Sequence, residues 1–142
     1  SGGAFIEADG SKALGKRKGV KTELIAEYKK NGRQKEIVIK PGDYYLASTL
    51  EIINTPKDLM PLVFPRTSLF RAGLLLLNSK TDPGYNGTLT MGLKNLSDFD
   101  VKLQIGARIC NIVFYKIEGQ TTQYRGQHQG GRITPENEEW QV

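Results

Sequence analysis

The 142-residue sequence predicts an all-β fold: a sandwich, a jelly roll or a barrel. Three observations carry that reading. Short runs rich in Ile, Val, Leu, Tyr and Thr recur every few residues from position 36 to position 117. Gly, Pro, Asn and Asp stand between them as turn signals. No segment keeps a helical period, apart from residues 22–30.

The elements follow in order. "AFIEA" is the first strand candidate, and residues 9–21 read as a polar, basic loop. "TELIAEYKK" fits either a short helix or a strand. "NGRQKEIVIKPGDYYLASTLEIINTP" alternates, with turns at Asn31-Gly32, Pro41-Gly42-Asp43 and Pro56. "LMPLVFP", "LLLLN", "GTLTMGLKN", "VKLQI" and "RICNIVFYKIE" are further strands, joined by "TDPGYNG", "LSDFD" and a hairpin-type "GA". The chain reads as one domain, residues 1–142, whose last part, 119–142, is a polar Gly- and Gln-rich arm. That arm is either mobile or ordered by a ligand or a partner subunit.

Composition excludes several classes. Apolar residues are 38% and charged residues 25%, an ordinary globular mixture. No apolar run approaches the roughly 18 residues of a membrane helix, so no membrane partner is expected. One cysteine, Cys110, and one histidine, His128, cannot make a zinc site or a disulfide framework. A reducing, cytoplasmic setting is the expectation. Cys110 lies in "RICNIVFY", which reads as a buried strand, so an inert core thiol is favoured over a Cys-His nucleophile. Net charge is +5, and ten of the 20 basic residues fall between Lys12 and Lys40, beside three acids. That stretch could attract phosphate. It lacks aromatic platforms and reads more simply as a solvated face, so nucleic acid is not the expected partner.

Four clusters could carry chemistry. In "PRTSLFRAG", Arg66, Thr67 and Ser68 place a guanidinium beside two hydroxyls, with Arg71 following. Such a group can fork onto phosphate oxygens. It can equally be a short helix "TSLFR" with Thr67 as N-cap. In "TDPGYNG", Pro83-Gly84 makes a turn that Asp82 could cap. Alternatively, Asp82 orients a water and Tyr85 lies flat against a sugar or base. In "GARICNIVF", Asn111 interrupts an apolar run, and burial would oblige it to find hydrogen-bond partners. In "YRGQHQGGR", Tyr124, Arg125, Gln127, His128, Gln129 and Arg132 alternate with glycines that let backbone approach a ligand.

Taken together and in this order, these clusters resemble the dUTPase and dCTP deaminase superfamily over roughly residues 38–134. The resemblance implies a distorted jelly roll or β-barrel, assembled as a homotrimer with active sites shared between subunits. It implies a deoxynucleoside triphosphate substrate and Mg2+ bound through the triphosphate. Asp82 would position or deprotonate the water that attacks the α-phosphorus. Tyr85 would pack on the deoxyribose, and Arg66, Thr67, Ser68 and Arg71 would hold phosphates from a neighbouring subunit. Tyr124, Gln127 and Gln129 would close over the triphosphate, Asn111 would touch phosphate, and Asn78 would contact the base.

The sequence departs from the family in places. The deaminases carry a proton-shuttling glutamate where Gly92 stands, and glycine cannot transfer a proton. Asn111 replaces the usual Gln, and Gln127 replaces a frequent Lys. The diphosphatases' early Asp-Leu pair and their glycine-rich final motif are absent. Hydrolysis of dUTP to dUMP and pyrophosphate is the leading expectation. A dCTP deaminase, a bifunctional enzyme and a silent nucleotide binder are the alternatives.

Overall fold

The computed structural model describes residues 16–17, 22–126, 128–133 and 139–140. It contains β1 (Lys16–Arg17), β2 (Glu36–Ile39), β3 (Tyr44–Ser48), β4 (Ile53–Asn54) and β5 (Leu59–Pro65). A short α1 (Thr67–Arg71) follows, then β6 (Leu74–Leu77), β7 (Asn86–Gly87), β8 (Thr90–Asn95), β9 (Val101–Gln104), β10 (Cys110–Lys116) and β11 (Glu139–Trp140).

The pairing is nested. β2 pairs antiparallel with β9, β3 with β8, and β4 with β7. That is one long antiparallel ribbon rolled on itself, the pattern of a jelly roll. Two departures distort it. β5 leaves the ribbon to pair with β10 over seven residues, from Cys110↔Pro65 to Lys116↔Leu59. β6 turns back and adds to β8, making the order β3-β8-β6.

Alternation assigns the faces of the three-stranded sheet. Met91, Leu93 and Asn95 of β8 point inward with Leu74 and Leu76 of β6, and all are buried. They meet Ile39, Val63, Leu69, Tyr85, Leu89 and Val101 in one core. Thr90, Gly92 and Lys94 lie on the outer face with Leu75 and Leu77. Asn95 is the polar member of the core. Its amide donates to the Ile39 carbonyl at 2.8 Å and the Phe99 carbonyl at 2.9 Å. Its oxygen accepts from the Ser97 backbone at 2.9 Å and the Ser97 hydroxyl at 2.7 Å. Nothing polar is left over, so a buried amide stabilises the fold here instead of costing it.

Several expectations need correction. Residues 22–30 are neither helix nor strand, because they present Leu24 and Tyr28 to solvent instead of a packed face. Lys16–Arg17 is strand, not loop, since Glu139–Trp140 supplies a partner. "AFIEA" lies outside the described residues. Gly106-Ala107 does turn the chain, Ala107 donating to Gln104 at 3.1 Å. It is not a hairpin, because β9 and β10 go to different partners. β10 is not a buried strand: its pattern is half-exposed, with Cys110 intermediate and Asn111 on the surface. One face of β10 has β5 beside it but no second layer over it.

Candidate active site

Residues 81–87 form a turn pinned from three sides. The buried Thr81 donates its backbone N–H to Pro61 at 3.0 Å. Gly84 donates to the Thr55 carbonyl at 3.0 Å, and Thr55 donates back to Tyr85 at 2.8 Å. Tyr85 closes the turn by donating to the Asp82 carbonyl at 3.2 Å. Gly84 needs a positive φ of 77°, and a Cβ there would lie 2.7 Å from Gln123. Glycine is therefore required twice over.

The closing bond is backbone to backbone, so the Asp82 side chain does not cap the turn as expected. It points outward and forms an ion pair with Lys80, its side chain 38% exposed. A pinned turn thus presents a half-exposed carboxylate paired with a lysine. Tyr85 behaves oppositely. Its ring is buried, and its hydroxyl donates to the Thr88 carbonyl. Burial, and next the nearby Tyr124, push its ionisation up from the ordinary tyrosine value. Beside it the Thr55 hydroxyl is buried without a hydrogen-bond partner among the described residues.

The described part of the C-terminal arm lies against this turn within its own chain. Tyr124 donates its N–H to Pro83 at 2.9 Å, and its ring meets Tyr85 edge-on at 5.6 Å. The Gln129 side chain accepts from the Asn86 N–H and donates to the Gly84 carbonyl, both at 3.3 Å. Gly130 donates to Asn86 at 2.7 Å and bridges in parallel to Gly87. Thr90 donates its hydroxyl to the Arg132 carbonyl at 3.1 Å. Four of the expected site residues, Asp82, Tyr85, Tyr124 and Gln129, therefore come from this turn and the arm against it. Gln127 lies outside the described residues.

The basic cluster is not brought to them. Arg66 is extended and is itself the N-cap of α1, with no side-chain cap bond, so Thr67 is inside the helix and is not its cap. Thr81 is tied to Pro61, five residues before Arg66 on β5. Five residues of strand extend about 16 Å. Arg66, Thr67, Ser68 and Arg71 thus sit at the opposite end of β5 from Asp82. Asn78 is anchored structurally, its amide donating to the Val63 carbonyl at 2.9 Å. Asn111 pairs with Phe64 across β5 and β10, beside the Arg66 end.

Comparison with known proteins decides the family. Residues 5–117 match the profile of the dCTP deaminase-like family. The chain belongs to the dCTP deaminase-like family. A dCTP deaminase of Pyrococcus furiosus is 39% identical over 118 residues, 82% of this chain and 73% of its own length. A dUMP-forming dCTP deaminase of Sulfurihydrogenibium is 39% identical over 99 residues. There the match takes in 68% of this chain but 55% of the relative, so the chain spans little more than half that protein. A dUTPase of Staphylococcus bacteriophage 80alpha aligns over 78% of this chain and 89% of its own, at 15% identity and a TM-score of 0.47. That likeness is too loose to bear on function.

Sequence reasoning passed over Lys80 and Thr55, which the structure places beside Asp82 and Tyr85. Lys80 stood two residues from Asp82, at the spacing that puts both on one face of an extended segment. Thr55 carried no signal. Among the described residues no group of three or more His, Cys, Asp or Glu could cage a metal ion. At the turn the carboxylate on offer is Asp82, paired with Lys80. No helix among the described residues is long and apolar enough to cross a membrane.

Proposed function

We propose that this dCTP deaminase-like protein is a deoxynucleoside triphosphate diphosphatase that cleaves dUTP to dUMP and pyrophosphate. One observation carries the reading. Position 92, where the deaminases hold their glutamate, is a glycine, and the outer face of β8 around it shows only Thr90 and Lys94. The hydroxyl of Thr90 is engaged by the arm, and the Lys94 ammonium by the Gly42 carbonyl. No carboxylate stands on that face to take the part of the deaminases' glutamate.

Asp82 suits the other reaction. In-line attack of water on the α-phosphorus forms one P–O bond and breaks the bond to the bridging α–β oxygen, releasing pyrophosphate. The attacking water loses a proton, and an exposed carboxylate on a rigid turn is placed to orient that water and take it. A bound Mg2+ would neutralise charge on the phosphate oxygens. Tyr85 and Tyr124 would flank the sugar. Gln129 and the backbone of Gly130 and Gly131 would line the phosphate path, and Asn78 would lie near the base. Arg66, Thr67, Ser68, Arg71 and Asn111 would come from a second copy, because their end of β5 is remote from their own Asp82. A homotrimer with shared sites satisfies that separation.

Deamination of dCTP is the second reading, favoured by the names of the relatives. Incubation with dUTP and dCTP separately, with Mg2+, distinguishes the two by chromatography of products. The expected result is dUMP and pyrophosphate from dUTP, with dCTP unchanged. Release of uracil nucleotide from dCTP would refute the reading. Asp82→Asn is expected to abolish turnover and keep nucleotide binding.

A further inference from the structure

Gly92 is a glycine for want of space, not for its backbone. Its φ is not among the positive ones of this chain. What occupies the space above it is the Tyr44 ring. A Cβ on Gly92 would press against the Tyr44 hydroxyl and lie 2.8 Å from its Cε2 and 3.0 Å from its Cζ. Tyr44 pairs with Lys94, and Gly92 pairs with Leu46, so the two are diagonal neighbours across the β3–β8 ladder. An aromatic ring reaches across such a diagonal. Gly92 is consequently buried although it faces outward.

The phenol remains open on its other side. Tyr44 is 53% exposed, and Leu77, which pairs with Gly92 from the opposite strand, is 46% exposed. Two residues along β8, about 7 Å away, Thr90 holds the arm. The arm in turn caps the Asp82 turn. The surface running from Asp82 through the arm therefore continues onto a shelf with apolar edges and one phenol hydroxyl. A shelf of that kind suits a flat, uncharged ring with a polar edge. A phenol can donate and accept a hydrogen bond, whereas an ionised carboxylate only accepts.

We propose that Tyr44 is the specificity-determining residue for the base: its ring takes the place of a side chain at position 92, and its hydroxyl hydrogen-bonds the polar edge of the substrate's pyrimidine. This rests on the diphosphatase reading for the reaction but not for binding.

Two measurements test it. The first uses a non-hydrolysable imido analogue of dUTP and its cytosine counterpart, titrated by calorimetry into wild type and Tyr44→Phe, with kcat and KM for dUTP alongside. Tyr44→Phe keeps the ring and removes one neutral hydrogen bond, so uracil-analogue affinity should fall about three- to tenfold. KM should rise more than kcat falls, and the ratio of uracil to cytosine affinity should shift. Unchanged affinity for both analogues would overturn the proposal, as would a wild type that binds neither. A wild type that binds the analogue yet turns over no dUTP would fail the diphosphatase reading alone, and the Tyr44→Phe affinity would still decide. The second measurement is a thermal-melting cycle. Gly92→Ala should destabilise the wild type and be tolerated in a Tyr44→Ala background. Equal melting of Gly92→Ala and wild type would refute the claim that Tyr44 fills the space.

Discussion

Gly131→Ala should release the C-terminal arm and leave the rest of the fold intact. The docked arm is finely balanced. Gly130, both ends of the Gln129 amide and the Arg132 carbonyl make four hydrogen bonds to the turn and β8. At about 1 kcal/mol net for each, they contribute roughly 4 kcal/mol. Ordering residues 128–132 costs roughly 1 kcal/mol or more per residue, the same order as those four bonds, so a small perturbation decides the state of the arm.

Gly131 has φ of 80°, where an L side chain costs about 1–2 kcal/mol. Its Cβ would also meet the Thr88 carbonyl oxygen at 2.6 Å and the Thr88 nitrogen at 2.7 Å, backbone atoms that cannot swing aside. The docked population should therefore fall by at least tenfold. Amide hydrogen exchange reads it directly. The Gly130 and Tyr124 amides should lose protection, Leu93 in the core should not, and the melting temperature should stay within a degree or two. If the arm closes over the triphosphate, KM for dUTP rises in parallel. Retained protection at Gly130 would refute the balance. A fall in melting temperature matching the loss of protection would show that the arm belongs to the cooperative core.

Three other outcomes are expected. Asn95→Leu strands the Ile39 and Phe99 carbonyls and the Ser97 N–H, so it should destabilise by roughly 3–6 kcal/mol in urea unfolding; a loss under about 1 kcal/mol would refute the account of that network. Tyr85 ionises above its ordinary value of 10.0 in the folded chain, so its contribution is complete below about pH 10 and is lost as pH rises through the folded value. The melting temperature should drop above pH 10, and Tyr85→Phe should make that drop shallower. Burial, and then Glu51, push the Cys110 thiol above its ordinary 9.0, so iodoacetamide at pH 8 should label it more slowly than a free thiol until denaturant is added.

The fold was legible where local pattern decides structure. The β2 and β8 runs alternate, and Ile39, Met91, Leu93 and Asn95 on their inward faces are buried. The short helix "TSLFR" was one of two readings of its segment, and it forms with Arg66 instead of Thr67 at its cap. β10 was not. Its apolar run reads as core, yet Val113, Phe114 and Tyr115 stay exposed in one chain, because burial depends on what a neighbour covers and not on the strand's own composition. The arm was legible as a segment but not as a docked one. Nothing in "YRGQHQGGR" reveals that Gly87 and Gly131 leave room for it.

The site divides in the same way. Asp82, Tyr85, Tyr124 and Gln129 could be named from order and residue type, and they meet. Arg66, Thr67, Ser68 and Arg71 could be named too, but their distance from Asp82 follows from the register of β5, which no local pattern encodes.

Gly92 makes the limit concrete. In the sequence it reads as a loss, a glutamate replaced by nothing. In the structure it reads as an exchange, because the volume above it is filled from a different strand, 48 residues earlier in the chain. The two positions are coupled sterically: a side chain at 92 would require the Tyr44 ring to shift from where it lies. The chemistry of this outer face is therefore set jointly by two residues, and the one that now supplies its only polar group over the notch is the one that family motifs alone would not single out.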